Sequence, residues 1–282
     1  MVQVIKATGE KEEFSSDKVL NSIRRAGIPR NVEQHVLSAI ESKLYENIPT
    51  FEIYQIIMDA MSASEQPYSK SRYSLKQAIM MLGPSGYPFE DFIGKVMEAK
   101  GYTTLTRQIL EGRCVNHEID VIAENDHEKI LVEAKFHNNP GTRSDVHVAL
   151  YMKSRFDDLK DRFHFDEAWI VTNTKTTLDA TTFAQCSGIK IISWNYPEGE
   201  SLREMVENAK LHPITMLTTL TAQHKLKLLE KQIIICKDLE ANPSFLDMIG
   251  LSHEQKKETL AELKFICDTP QIHDRTGTTL LT

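Results

Sequence analysis

Apolar positions change period several times along the chain, and each change marks an element. Val2, Val4 and then Lys6 alternate up to a turn at Thr8-Gly9-Glu10, and the chain returns to Phe14, a β-hairpin pattern. The period then lengthens to that of helices. Ser15 or Ser16 can cap a helix with Val19, Leu20, Ile23 and Ala26 on one face, ended by Gly27 and Pro29. Val32, Val36, Ile40 and Leu44 form a second stripe; Thr50 can cap a third helix through Ile53, Ile56, Ile57 and Met61; and Leu75, Ile79 and Leu82 line a fourth.

Beyond Gly83-Pro84-Ser85-Gly86-Tyr87-Pro88 a helix over Phe89 to Lys100 stops at Gly101. Strands follow, with Val115 to Ala123 and Lys129 to Phe136 joined antiparallel by a turn at Glu124-Asn125-Asp126-His127. A helix over Ser144 to Phe163, a strand Ala168 to Thr172, a helix Thr177 to Gln185 and a strand Ile189 to Trp194 continue the alternating α/β order. That order predicts an α/β sheet with helices on both faces. A second turn-rich stretch, Trp194 to Gly199, leads to short helices broken by Pro213, Pro243 and Gly250, with a tail from Pro270 expected to lack structure. Three domains are expected, over 1–83, 84–197 and 198–282.

With 282 residues, 41% of them hydrophobic, the chain can build several modest cores. No apolar run approaches the ~18 residues of a membrane span, and the first residues lack the apolar core of a secretory signal, so a cytoplasmic location is expected. Cys114, Cys186, Cys236 and Cys267 form no C-x-x-C pair, which argues against a zinc site or disulfide framework. Of the formal charge of −7, the middle segment holds the larger part: residues 84–200 carry 13 basic and 19 acidic side chains. Such a surface does not coat nucleic acid by bulk charge, unless some carboxylates hold cations.

Those carboxylates include a chemically suggestive set. Asp120, near the end of one strand, and Glu133, on its partner, can converge on one hard cation, because antiparallel neighbours lie only ~5 Å apart. Glu133 and Lys135 share a face by the period of two, which stands the ammonium beside the metal, where it can orient or deprotonate an attacking water. Ile119, Val121, Leu131, Val132 and Phe136 frame these charges with apolar residues. E-x-K alone is more often a solvated face; what reverses those odds is that an upstream helix with Glu90, a strand with Asp120, a turn, E-x-K and a crossover helix stand in an order that resembles the PD-(D/E)xK nucleases.

Residues of about 86–195 resemble the Mrr-like restriction endonucleases of the PD-(D/E)xK superfamily, in Phe89-Glu90, Gly101-Tyr102, Glu118 to Ala123 and Val132 to Phe136. The resemblance implies a DNA endonuclease using Mg²⁺ or Mn²⁺, with Asp120 and Glu133 as metal ligands, Lys135 as catalytic lysine and Glu90 as an auxiliary ligand. The following helix lacks the glutamine-centred motif of some members and offers Tyr151, Lys153 and Arg155. Arg155 or Lys153 could meet a phosphate, or pair with Asp157 or Asp158. His117, His137 and His147 contain no H-x-x-x-H pair and are left out of the site.

Val4 to Gly9, Phe14, Lys18, Ser22 to Ala26 and Arg72-Tyr73 resemble the ATP-cone domain over about residues 2–83, although Ala7 and Thr8 stand where that family usually places a basic residue and an acid. This implies ATP or dATP as allosteric ligand, with Lys6 and Lys18 on phosphates and Glu12 and Ser15 near the base or sugar. Residues 205–268 loosely resemble tandem helix-hairpin-helix DNA-binding domains, alongside the alternative of a helical docking domain. The expected protein is a nucleotide-regulated endonuclease, and the alternative is a non-catalytic, nucleotide-responsive DNA-binding regulator. Cutting both DNA strands would need a second site, which a homodimer supplies.

Overall fold

The computed structural model describes residues 2–25, 28, 30–62, 68–268, 272–273 and 279–280. Strands β1 (Gln3–Ile5) and β2 (Lys11–Glu13) form the expected hairpin, turned by Gly9 at φ 82°. Helices α1 (Ser16–Arg25) and α2 (Arg30–Glu41) follow, and the Ser15 hydroxyl accepts the Lys18 N–H at 3.4 Å to cap α1. Gly27 and Pro29, the expected stop, lie outside the described residues.

A two-residue strand, β3 (Ile48–Pro49), adds in parallel to the free side of β1 and runs directly into α3 (Thr50–Ser62). Such a strand is too short to leave a periodic signature, but Ile48 is fully buried with Val4, Ile23, Val36, Ile40 and Ile57 in one core. The fourth helix is broken into α4 (Ser69–Tyr73) and α5 (Leu75–Met80) at Ser74, whose hydroxyl donates to the Ser71 carbonyl and diverts it from regular helix bonding.

In the middle of the chain, α6 (Tyr87–Ala99) starts behind Gly86, carries Pro88 in its first turn and ends at Gly101, which takes φ 93° and bonds back to Glu98. Its Phe89, Phe92, Ile93, Val96 and Met97 are buried at helical spacing. Strand β4 (Thr103–Glu111) is antiparallel to β5 (Asn116–Glu124), which is antiparallel to β6 (Lys129–Lys135). The two-residue pair β7 (Arg143–Ser144) and β9 (Lys175–Thr176) flanks α7 (Val146–Phe163) and β8 (Glu167–Thr172); α8 (Leu178–Ser187) and β10 (Ile189–Ile192) complete the sheet, ordered β10-β8-β6-β5-β4. One core joins Ile122 and Leu131 of the sheet to Met152 and Leu159 of α7. Helix α9 (Leu202–Ala209) packs against α6.

The chain divides into two compact units, Ile79–Leu211, and Met1–Ala78 together with His212–Thr282. The C-terminal part of the second carries α10 (Ala222–Leu229), α11 (Cys236–Ala241) and α12 (His253–Cys267), with single 3₁₀ stretches at Ile214–Met216 and Pro243–Ile249. Leu228, Ile234, Leu239, Leu246, Ile249 and Leu263 are buried there. The tail expected to lack structure lies mostly outside the described residues; within it, Ile272–His273 pairs antiparallel with Thr279–Leu280. Among the described residues no helix is long and apolar enough to cross a membrane. This is the mixed α/β architecture the sequence predicts: hairpin with helices, central sheet, C-terminal helices.

Candidate active site

Strand β6 lies at the centre of the sheet, antiparallel to β5 and parallel to β8. Its buried positions are continuous from Ile130 to Val132, after which Glu133 and Lys135 are half-buried on either side of buried Ala134. Leu131 belongs to the core shared with α7, so the pleat turns Glu133 and Lys135 toward the same helix. The β5–β6 ladder ends at Val121↔Val132, and Asp120 and Glu133 are the next residues on each strand. There Asp120 Oδ2 accepts the Ala134 N–H at 2.7 Å, replacing a ladder bond with a side-chain one. Burial, then the negative charge of Glu133, pushes the Asp120 carboxyl up to about 7; the Ala134 N–H opposes that rise and Glu90 adds to it.

On the other side of Asp120 the β4–β5 ladder skips one position. Thr106 pairs with Val121 and Gln108 with Ile119, while Arg107 between them takes φ 53°, a left-handed conformation uncommon for an arginine. Arg107 reaches Asp91 at 2.7 Å and Glu90 at 3.7 Å, both in the first turn and a half of α6. Glu90 Oε2 is buried with no hydrogen-bond partner among the described residues, and burial raises the Glu90 pKa against the pull of Arg107.

Glu133 meets Arg155 of α7: Nη1 donates to Oε2 at 2.6 Å, and the guanidinium lies 4.5 Å from the centre of the Tyr151 ring. Lys153 turns instead to Asp157 at 2.6 Å, the solvated pairing foreseen for it. The histidines are engaged in the framework. His117 Nε2 bonds Asp158 at 2.9 Å, His137 Nε2 bonds Ser144 at 2.8 Å, and His147 faces its own helix cap Asp145. Behind Lys135, the Asn173 side chain accepts from His137 N and donates to His137 O, both at 2.9 Å, which fixes the exit of β6.

The residues expected to hold a nucleotide gather at the hairpin. Lys6 and Lys18 both bond Glu12, at 2.6 and 3.0 Å, and these two lysines hold the Glu12 carboxyl below its usual range. Glu12, Ser15 and Lys18 line a cleft of about 160 Å³ with Phe14, Tyr54 and Tyr73. The two tyrosine rings stack at 5.7 Å, and Tyr73 shares a 3.0 Å hydrogen bond with Ser22. Lys6 stands outside the cleft lining, tied to it through Glu12. The side chain of Arg72 lies outside the described residues.

Residues 82–205 match the family model described as restriction endonuclease, residues 2–77 that of the ATP cone domain, and residues 212–267 that of the AF1548-like C-terminal domain. An uncharacterized protein of Archaeoglobus fulgidus is 37% identical over 173 residues, spanning 61% of this chain and 98% of the relative. The crystal structure of AF1548, a protein of unknown function, superposes with a TM-score of 0.57 at 35% identity, covering 66% of this chain and all of the other. The chain belongs to the AF1548-like family, with an Mrr-type restriction-endonuclease domain behind an ATP cone.

An Mrr-type domain calls for a divalent cation, and the donor set here fits one. Asp120 and Glu133 are hard oxygen donors brought side by side, and the orphaned Glu90 oxygen lies within electrostatic reach of Asp120. Among the described residues no three acidic, histidine or cysteine side chains converge as a closed cage. Mg²⁺ needs none, since one or two carboxylates suffice when water and substrate phosphate complete its shell. Arg107 was not singled out from sequence; its only trace there is a basic residue between Thr106 and Gln108 in an otherwise regular strand.

Proposed function

We propose that this chain is a metal-dependent DNA endonuclease in which Asp120 and Glu133 hold Mg²⁺ or Mn²⁺, Lys135 is the catalytic lysine, and ATP or dATP in the ATP cone regulates cleavage. The Asp120–Glu133 pair carries this reading. Two carboxylates opposed on adjacent strands, one driven toward neutral pKa by burial and by the other, are unfavourable unless a cation joins them. When bound, that cation supplies a water of lowered pKa and neutralises charge developing on the phosphate.

The chain's own groups do the rest. The Ala134 N–H fixes one oxygen of Asp120, so the other is free to ligate. Lys135, two residues beyond Glu133 on the same face, orients the attacking water and holds or takes its proton. Glu90 offers an auxiliary carboxylate. The domain's acidity means that DNA is drawn in by the metal and by neighbouring segments, the C-terminal helices among them, more than by its own surface. Double-strand cleavage would engage a second copy.

The test is cleavage of supercoiled plasmid with Mg²⁺ or Mn²⁺, with and without ATP or dATP. Wild type is expected to nick or linearise it, Asp120→Ala to fall to background, and Lys135→Ala to lose about 10²-fold or more. Cleavage persisting in Asp120→Ala would sink the site. A second reading, a nucleotide-responsive DNA-binding regulator without catalysis, draws on Arg155, which occupies a Glu133 oxygen in the way a scaffold residue would. DNA binding without cleavage of methylated, unmethylated, branched or single-stranded substrates would favour it.

A further inference from the structure

We infer that Arg155 is the positioning residue of the nuclease site, fixing the Glu133 carboxylate so that one oxygen is held by the protein and the other is presented to the cation. The inference rests on the metal-site reading above and deepens it. Arg155 sits on α7, three turns into a helix whose other basic residues, Lys153, Lys160 and Arg162, are a third to a half exposed; its own side chain is 8% exposed. A guanidinium so far from water has a large desolvation cost, and its bonds to Glu133 and Tyr151 do not satisfy it fully, since Nε is buried without a partner among the described residues.

As a stability device this is poor. An apolar side chain of similar volume would pack at least as well beside the Tyr151 ring, and buried ion pairs are often neutral or worse against such replacements. As a positioning device it is well made. The planar group is clamped from one side by the Tyr151 ring at 4.5 Å, which sets the plane in which Nη1 meets Oε2 at 2.6 Å. With Oε2 engaged, Glu133 would offer its other oxygen to a cation, as would Asp120, whose Oδ2 is likewise engaged by Ala134 N–H. Among the described residues each carboxylate thus has one oxygen committed to the protein, with the other left for a cation. Groups that orient metal ligands in this way usually contribute 10–100-fold to metal affinity.

The experiment is Mn²⁺ titration of the full-length chain by calorimetry, beside its thermal unfolding, for wild type, Arg155→Met, Arg155→Lys and Asp120→Ala. Arg155→Met is expected to bind Mn²⁺ about tenfold or more weakly while its melting temperature stays near or above that of wild type, and Arg155→Lys to fall between the two in affinity. Removing only a repelling positive charge would tighten binding, so unchanged or tighter Mn²⁺ binding in Arg155→Met overturns the inference. If Arg155→Met does not fold, Arg155→Lys decides: several-fold weaker binding supports positioning, and wild-type affinity overturns it. A wild type whose Mn²⁺ isotherm equals that of Asp120→Ala overturns the metal site itself, a result distinct from a binding wild type matched by Arg155→Met.

Discussion

The hydroxyl of Ser71, in the short helix α4 beside the nucleotide cleft, donates to the carboxylate of Glu262, buried in the C-terminal helix α12. Glu262 also accepts from the N–H and hydroxyl of Thr218, both at 2.7 Å, and from those of Thr219 at 2.9 and 2.8 Å. Five donors replace the water that a buried carboxylate loses. Removing the acceptor strands all five. Glu262→Ala should therefore destabilise the unit formed by residues 1–78 and 212–282 by about 3 kcal/mol, and Glu262→Gln by about 2, because one oxygen becomes a donor facing donors. Urea unfolding curves measure both, and a loss under about 0.5 kcal/mol for Glu262→Ala would contradict this role.

The raised pKa of Asp120 makes the metal-free protein pH-sensitive. With a folded value of about 7, caused first by burial and then by Glu133, native Asp120 keeps a proton that the unfolded chain, near a pKa of about 4, has already released. Stability in EDTA should fall as pH rises from about 4 to about 7 and level off above, the reverse of an ion-paired carboxylate. Asp120→Asn should remove that slope. At the proposed metal site protons and cation would compete for the carboxylate, so the stabilisation given by Mn²⁺ should grow with pH up to about 7. Thermal unfolding from pH 5 to 8, with EDTA or Mn²⁺, checks both trends; parallel profiles for wild type and Asp120→Asn would refute them.

Much of this site is legible in one sequence because its chemistry violates local preference. Asp120 and Glu133 interrupt the apolar runs 119–123 and 130–134, with Lys135 closing the second, and such charges stand out against a period of two. The helices of the ATP cone were equally visible, since buried stripes such as Val32, Val36 and Ile40 repeat at helical spacing. What sequence does not carry is geometry set by distant partners. Arg155 and Lys153 read alike on one helix, and only packing against Glu133 buries the first while leaving the second to Asp157. Arg107 gives no sign of its positive φ, Ile48–Pro49 is too short for periodicity, and Glu262 looks like any surface carboxylate of α12 until Thr218 and Thr219 fold over it.

The ATP cone gives a prediction in which charge and ring stacking separate. Lys6 and Lys18 share the single carboxylate of Glu12 at the hairpin, a half-exposed arrangement in which each pair contributes at most about 1 kcal/mol. A triphosphate brings several negative charges and should draw both lysines from Glu12, while the base and sugar side of the ligand should rest on Ser15 and the stacked Tyr54 and Tyr73. Lys6→Ala combined with Lys18→Ala should then weaken ATP or dATP binding by tenfold or more, leave adenosine binding nearly unchanged, and flatten the salt dependence of the triphosphate. Calorimetry with ATP, dATP and adenosine at two ionic strengths makes the comparison. Triphosphate binding that survives the double substitution would move the phosphates away from this hairpin.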